Sequence, residues 1–181
     1  MFQLNKNTAV GNHQLEYFTT HIIDKKIMDT IVNTIEEQGD RQNLSTNVRA
    51  QMTEWRMQDY PGFKELNNII IQAIQTIVRN KFNLATSFIC SDMWGMKYES
   101  GNMATDHDHF PSTYSITYYI KPPKKCPGLI FTDYKKEVKP ENGLLVIFPS
   151  YVKHHVPSKE FEGARYVVSA NYNPMEDVRK A

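Results

Sequence analysis

Hydrophobic positions in the first half of the chain recur at helical spacing. In residues 24–39, DKKIMDTIVNTIEEQG, the apolar residues share one face of a helix. These residues are Ile27, Met28, Ile31, Val32 and Ile35. Asp24 is suited to cap the start of this helix, and Gly39 is suited to end it. The pattern therefore predicts an amphipathic helix between these two residues.

A second segment, PGFKELNNIIIQAIQTIVRN at 61–80, has the same periodicity. Its apolar face consists of Phe63, Leu66, Ile70, Ala73, Ile74 and Ile77. Pro61 stands where a first helical turn tolerates proline. We therefore predict that residues 1–82 or so are mostly helical and support the rest of the chain.

The pattern changes after residue 83, where short β-branched and aromatic runs are separated by turn residues. The runs are TSFICSDMWGMKYE, STYSITYYI, GLIFTD, GLLVIFPS and ARYVVSANYN. Helices followed by a cluster of strands indicate an α+β fold, in which helices buttress an antiparallel sandwich or barrel. The length of 181 residues suits a single domain, 1–181, with its β core at about 83–175.

Composition excludes several classes of protein. The net charge is +1, and lysine and arginine are scattered, so nothing favours a nucleic-acid partner. The two cysteines do not imply a disulfide framework. The first residues, MFQLNKNTAV, lack the apolar core of a signal peptide, and no run approaches the roughly 20 apolar residues of a membrane helix. We expect a soluble cytoplasmic protein, and its oligomeric state is not indicated.

Four of the six histidines form two pairs in the β-rich half, His107/His109 and His154/His155. Residues two apart in a strand point to the same face, so His107 and His109 are expected to project together. A third imidazole from FPSYVKHHVP would complete a three-sided metal site. The alternative is that DHDH is a polar loop and HH an exposed turn, and the spacing alone does not decide between them.

Taken together, the segments from MWGMKYESG near 93 to SANYNP near 174 resemble the Fe(II)/2-oxoglutarate-dependent dioxygenases, especially the prolyl-hydroxylase-like branch. The shared order is an aromatic strand, Tyr-x-x-Gly, a His-x-acid pair, a strand ending in Tyr-Tyr, an apolar strand, FPS, a distal His and, about ten positions on, a basic residue. The resemblance implies a double-stranded β-helix (jelly-roll) core, Fe(II) and 2-oxoglutarate as cofactors, and O2 as cosubstrate.

The resemblance also implies roles for individual residues. It makes His107 and His154 iron ligands. Arg165 resembles the basic residue that binds the far carboxylate of 2-oxoglutarate, and Tyr119, Ser169 and Tyr98 correspond to further residues of that pocket.

One position departs from the family pattern. The second ligand of the family is usually an aspartate two residues after the first histidine, and here that residue is His109. Either three histidines hold the metal, or a local bulge turns Asp108 inward. Strand parity favours the set His107, His109 and His154.

The activity implied is hydroxylation of a C–H bond with release of succinate and CO2. The substrate is open: a peptide, a free amino acid or another small molecule. Residues 40–60 and the loop YESGNMATD are expected to flank the pocket mouth. Two alternatives remain: a cupin-type three-histidine metalloenzyme without 2-oxoglutarate, and a non-catalytic binding domain on the same fold.

Overall fold

A computed structural model describes residues 3–11, 14–42 and 45–175. This part of the chain contains two α-helices, α1 (Lys25–Gln38) and α2 (Phe63–Phe82). Its twelve β-strands are β1 (Asn5–Val10), β2 (Gln14–His21), β3 (Val48–Arg49), β4 (Gln51–Met52), β5 (Phe88–Tyr98), β6 (Met103–His107), β7 (Tyr114–Ile120), β8 (Leu129–Phe131), β9 (Lys136–Val138), β10 (Leu144–Pro149), β11 (His154–Val156) and β12 (Arg165–Pro174). Within the described residues, no helix combines the length and hydropathy that a membrane span requires.

The strands form two sheets, and every pairing between the named strands is antiparallel. The major sheet has the order β1-β2-β10-β7-β12-β5-β4, and the minor sheet has the order β3-β6-β11-β8-β9. From β5 to β12 the chain alternates between the two sheets, except that β8 and β9 form a hairpin within the minor sheet. This is the jelly-roll arrangement of a double-stranded β-helix. The predicted fold class is therefore confirmed.

Both predicted helices are present. The Asp24 carboxylate accepts a hydrogen bond from the Ile27 N–H (3.0 Å), and Gly39, at φ 60°, donates its N–H to the Ile35 carbonyl. The second helix begins at Phe63, so Pro61 precedes the first turn instead of lying within it. The predicted apolar faces are buried, except that Val32 is only half-buried.

The expectation of a mostly helical N-terminal region needs correction. Strands β1 and β2 form a hairpin, and β2 pairs with β10, so residues 5–21 extend the major sheet. The physical reason is a long-range contact: Leu15 and Tyr17 alternate with polar neighbours and are buried against the apolar residues of a strand more than 100 positions away.

The major sheet is apolar on both faces. Its outer face packs against α1 and α2, with sheet residues such as Met93, Ile116 and Val168 in contact with the helical faces. Its inner face packs against the minor sheet through a second cluster that includes Tyr119, Phe131 and Phe148. Consequently, the polar side chains on the inner face are enclosed between the two sheets.

The helices approach the sheet most closely at Gly95 in the middle of β5. A Cβ atom on Gly95 would lie 2.5 Å from Ile35 Cγ1, 2.8 Å from Ile35 Cδ1 and 3.1 Å from Phe63 Cζ. The glycine thus allows both helices to sit directly on the strand whose opposite face lines the space between the sheets.

We expect Gly95→Ala to lower the free energy of unfolding by about 1–3 kcal/mol, because an added methyl group in a packed core forces side chains out of place. Chemical denaturation measures this loss. Ile35→Ala removes both Cγ1 and Cδ1, so in that background the same substitution should cost measurably less. An equal cost in both backgrounds would show that the close approach at Ile35 does not limit the position.

Candidate metal centre

Two histidines face each other across a pair of strands in the minor sheet. His107 ends β6 and His154 begins β11, and the two residues are direct partners in the antiparallel register. Such partners have neighbouring Cβ atoms. Their imidazole centroids lie 4.4 Å apart, so the strand pairing alone places two ligands side by side.

The third histidine comes from a loop. His109 lies beyond the end of β6, and its N–H donates to the Ser150 carbonyl at 2.8 Å. Its ring centroid is 5.0 Å from that of His107 and 5.1 Å from that of His154. The three residues offer nitrogen atoms that all lie within 4.8 Å of one another. The side chains project together as strand parity suggested, although His109 itself is not in a strand.

A buried hydrogen-bond network supports this loop. The Ser115 hydroxyl donates to Asn171 Oδ1 (2.8 Å) and lies 2.8 Å from the Ser150 hydroxyl, and the Ser150 N–H donates to the Thr113 carbonyl. All three network side chains are buried. This network therefore holds the turn that contains His109 in place. Sequence reasoning missed this network, for which the only signal was the serine of FPS.

Hydrogen bonds fix the tautomers of the two facing histidines. His107 Nδ1 lies 2.7 Å from the Thr105 carbonyl oxygen, and His154 Nδ1 lies 2.8 Å from that of Val152. A carbonyl oxygen can only accept, so each Nδ1 carries the proton and each Nε2 keeps its lone pair. An Nδ1–H held by a carbonyl is the usual arrangement around a metal-binding histidine.

Burial favours the neutral form of His109 and His154. Desolvation, followed by the charge of His107, lowers the pKa of His109 to about 4. Desolvation, followed by the neighbouring His107 and His109, lowers the pKa of His154 to about 3. Neutral imidazole is the form that binds a metal, so protonation does not compete at these two residues near neutral pH.

The two aspartates of DHDH have other partners. Asp108 Oδ1 accepts a hydrogen bond from the Phe110 N–H at 3.0 Å. Asp106 Oδ1 accepts from the Thr132 hydroxyl at 2.5 Å, and the same hydroxyl lies 2.9 Å from His155 Nδ1. Among the described residues, the cluster with metal-ligand spacing contains no carboxylate.

The triad lies at one end of a narrow, partly open pocket between the two sheets. The residues suggested by the sequence line this same pocket: Tyr98, Tyr119, Arg165 and Ser169. Val48, Trp94, Met96 and Thr117 also line it. Among the described residues, no aspartate or glutamate lines this pocket.

Arg165 is the largest fully buried side chain in the described part of the chain, with 1% of its surface exposed. Its guanidinium carbon lies 4.1 Å from the centroid of the Tyr98 ring, and its Nη1 donates to the Pro127 carbonyl. No carboxylate of the described residues lies within 4.0 Å of this guanidinium. Buried arginines are normally paired with an anion. The described residues supply none to Arg165, so its positive charge lacks a partner.

The adjacent tyrosines of β7 point to opposite faces, as predicted. Tyr118 faces the helices and donates its hydroxyl to the Ile22 carbonyl (2.7 Å). Tyr119 faces the pocket, where its hydroxyl accepts from the Leu129 N–H at 3.2 Å, and its ring centroid lies 5.9 Å from the Arg165 guanidinium carbon. Burial raises the pKa of Tyr119 to about 12, so it stays protonated and can still donate.

An open cleft adjoins the triad on the solvent side. Residues 45–49, Trp55 and Trp94 line it together with His107, Asp108 and His109. Part of the expected segment 40–60, namely residues 45–49 and Trp55, therefore flanks the metal-ligand cluster. From the expected loop YESGNMATD, Tyr98 and Ala104 line the inner pocket instead. Trp94 lines both the cleft and the inner pocket, and its ring lies 5.7 Å from that of His109.

We expect His109→Ala to weaken divalent-metal binding by more than about 100-fold. Removing a group that only orients a metal ligand costs up to about 100-fold in affinity, and removing a ligand itself should cost more. Asp108→Asn is the matched control. It keeps the acceptor for the Phe110 N–H and should bind metal nearly as tightly as the unaltered chain. Calorimetric titration with Zn²⁺ measures both. The reverse ranking would identify Asp108 as the ligand.

No protein-family model and no curated protein matches this chain. Solved structures do match. A viral collagen prolyl hydroxylase from Paramecium bursaria Chlorella virus-1, in complex with 2-oxoglutarate, is 16% identical, with a TM-score of 0.65 over 88% of this chain and 96% of that one. A prolyl-4-hydroxylase from Pseudomonas putida is 13% identical, with a TM-score of 0.66 over 88% and 92%.

A third similar structure is HygX from Streptomyces hygroscopicus with nickel, 2-oxoglutarate and hygromycin B bound, at 9% identity and a TM-score of 0.65 over 88% of this chain and 83% of that one. At such identities the similarity concerns the fold. The chain therefore has the double-stranded β-helix fold found in 2-oxoglutarate–Fe(II) oxygenases and prolyl hydroxylases.

Proposed function

We propose that the protein is an Fe(II)- and 2-oxoglutarate-dependent oxygenase that hydroxylates a C–H bond of a peptidyl or small-molecule substrate. One observation carries the proposal. A buried arginine without a carboxylate partner, Arg165, lines the same narrow pocket as three histidines with metal-ligand spacing. A dicarboxylate that binds a metal at one end is a ligand whose charge fits both features.

The residues present fit an iron ion. His107 and His154 have free Nε2 lone pairs, and His109 adds a third neutral imidazole at the same point. Three ligands on one side of a metal leave positions open, as in the facial triads of non-haem iron oxygenases. Iron bound there would supply the redox chemistry by which dioxygen converts 2-oxoglutarate to succinate and CO2 and hydroxylates the substrate.

The chain's own contribution is to bind and orient the cosubstrate. Arg165 would hold the far carboxylate through a charge-assisted pair, while the Tyr98 ring stacks on the guanidinium and limits its rotation. Tyr119 would offer its hydroxyl to the same end of the ligand. Ser169, which pairs with Trp94 four residues along β12 from Arg165, would add a second hydroxyl contact. Fixing a flexible diacid in one pose lowers the entropic barrier to reaction, and the apolar walls exclude water.

Charge balance supports an anionic ligand here. Three imidazoles leave the full +2 charge on a metal that the usual two-histidine, one-carboxylate set would partly neutralise. Arg165 adds a further buried positive charge, and no acidic side chain lines the pocket. A dianion compensates both centres of charge at once, which a neutral ligand cannot do.

The open cleft beside the triad is where a substrate would lie. It is formed by the loop at 45–49 with the partly exposed indole of Trp55, and it reaches the metal-ligand cluster directly. Prolyl hydroxylases and a structure containing hygromycin B are both among the similar folds, so a peptide and a small molecule are each compatible with this architecture.

The third histidine favours a second candidate, a cupin-type metalloenzyme that uses three histidines and no 2-oxoglutarate. Succinate formation separates the two. The protein is loaded with Fe(II), given 2-oxoglutarate and O2, and assayed for succinate, with the His154→Ala protein as the control. Our proposal requires succinate that depends on His154. Iron binding without consumption of 2-oxoglutarate would leave the second candidate or a non-catalytic binding domain.

We expect Arg165→Ala to raise the 2-oxoglutarate concentration needed for half-maximal succinate formation by about tenfold or more. The reason is the loss of a hydrogen-bonded charge pair worth about 1.5–3 kcal/mol. Iron binding should be nearly unchanged. Lys153→Ala serves as the control, because Lys153 is an exposed cation next to His154. If the Lys153 variant showed the larger shift, the assignment of Arg165 would be wrong.

A further inference from the structure

Two N–H donors in the described part of the chain are buried without any acceptor: Trp94 Nε1 and Arg165 Nε. Most buried N–H groups in folded proteins are paired, because an unpaired donor has lost its hydrogen bonds to water without replacement. An indole nitrogen can only donate, so the Trp94 group can be satisfied only by an acceptor.

Both unpaired donors belong to the lining of the same pocket. They belong to two cross-strand pairs, or rungs, of β5 and β12, and one rung lies at each end of the pocket. Arg165 is paired with Tyr98, and Ser169 is paired with Trp94 four residues further on. The two rungs are therefore about 13 Å apart along the strands. Long side chains that point into the space between the sheets can reach the two ends of one small ligand.

Trp94 occupies the metal end of this pocket. Trp94 is 3% exposed. The centroid of its ring lies 5.7 Å from the centroid of the His109 imidazole. In the usual ligand set a carboxylate occupies the position of His109 and would present oxygen atoms here. With a histidine in that position, and no acidic residue among the described residues of the lining, these residues offer no anionic acceptor to the indole.

We infer that Trp94 is a cosubstrate-binding residue, whose Nε1–H donates a hydrogen bond to an oxygen of the metal-side end of 2-oxoglutarate. The inference rests on the proposed function and deepens it. One dianion then satisfies both unpaired donors: the 2-oxo acid end accepts from Trp94, and the far carboxylate accepts from Arg165. Hydrogen bonds to an ionised acceptor are the strong ones, which favours this pairing over a neutral ligand.

The test measures ligand binding without turnover. The 181-residue chain is loaded with Zn²⁺. The dissociation constants of 2-oxoglutarate and of pyruvate, a 2-oxo acid without the far carboxylate, are then measured by calorimetry. We expect Trp94→Phe, which keeps an aromatic ring and removes the donor, to weaken the binding of both ligands by the same factor of about ten or more. Arg165→Ala should weaken 2-oxoglutarate only.

The chain provides a matched control. Its only other tryptophan, Trp55, packs against Trp94 with ring centroids 4.9 Å apart, but its Nε1–H already donates to Gln42 Oε1 at 3.0 Å. Trp55→Phe should leave both dissociation constants unchanged. Zn²⁺ affinity, measured in each variant beforehand, verifies that the triad is intact.

A second measurement does not depend on how the Trp94 variant folds. With two tryptophans, the Zn²⁺-loaded chain has two indole N–H resonances in its ¹H–¹⁵N spectrum, and Trp55→Phe assigns them. Saturating 2-oxoglutarate or pyruvate should move the Trp94 resonance downfield and slow its exchange with solvent, because the proton enters a hydrogen bond.

The outcomes are separable. If the unaltered protein binds 2-oxoglutarate, but the Trp94 resonance does not move and Trp94→Phe binds with the same affinity, the inference is wrong and the proposed function stands. An equal loss of affinity in Trp55→Phe would also overturn it. If the Zn²⁺-loaded protein binds no 2-oxoglutarate, the proposed function and the inference are both wrong.

Discussion

The major sheet is buried on both faces, and this constraint determines where everything else in the described structure can lie. Helices cover its outer face, so closely at Gly95 that a methyl group would not fit. The minor sheet covers its inner face, and the polar side chains between the two sheets are cut off from water. A polar group retained in such a place needs a partner. His154 and Arg165 are enclosed in this layer. Their hydrogen bonds within the chain leave the Nε2 lone pair of His154 and the positive charge of Arg165 without a partner.

This combination connects the fold to the proposed chemistry. Antiparallel pairing of β6 with β11 places His107 opposite His154, and the buried serine network beneath the His109 loop brings in the third imidazole. At the other end of the pocket, Tyr98 stacks on a guanidinium that has no carboxylate partner. The pocket is thus basic, narrow and lined at one end with neutral nitrogen ligands. A metal and a dicarboxylate together would neutralise it.

Much of the architecture follows from local patterns. The faces of α1 and α2 were predictable because helical periodicity and caps such as Asp24 are local signals, and five of the strands were visible as β-branched and aromatic runs. The β1–β2 hairpin was not predicted, because its stability depends on pairing with the distant strand β10. Sequence reasoning also assigned no role to the unpaired donor of Trp94, since burial without an acceptor is a property of the packed structure.

The grouping of His109 with the other two histidines was predicted from strand parity, but its cause differs. The strand ends at His107, and the hydrogen bond from His109 to Ser150 gives the ring its position. Asp108, the alternative, is held in a local turn by the Phe110 N–H. Strand parity favoured His109 over Asp108, although a local bulge could have turned Asp108 inward at the same spacing. The loop contacts group His109 with the other two histidines and hold Asp108 in its own turn.

The most direct test of the account is a crystal structure of the protein with Zn²⁺ and 2-oxoglutarate. The account predicts imidazole nitrogens of His107, His109 and His154 at about 2.0–2.1 Å from the metal. It also predicts the far carboxylate of the ligand on the Arg165 guanidinium. A carboxylate oxygen of Asp108 on the metal with His109 turned away, or a ligand whose far carboxylate avoids Arg165, would contradict it.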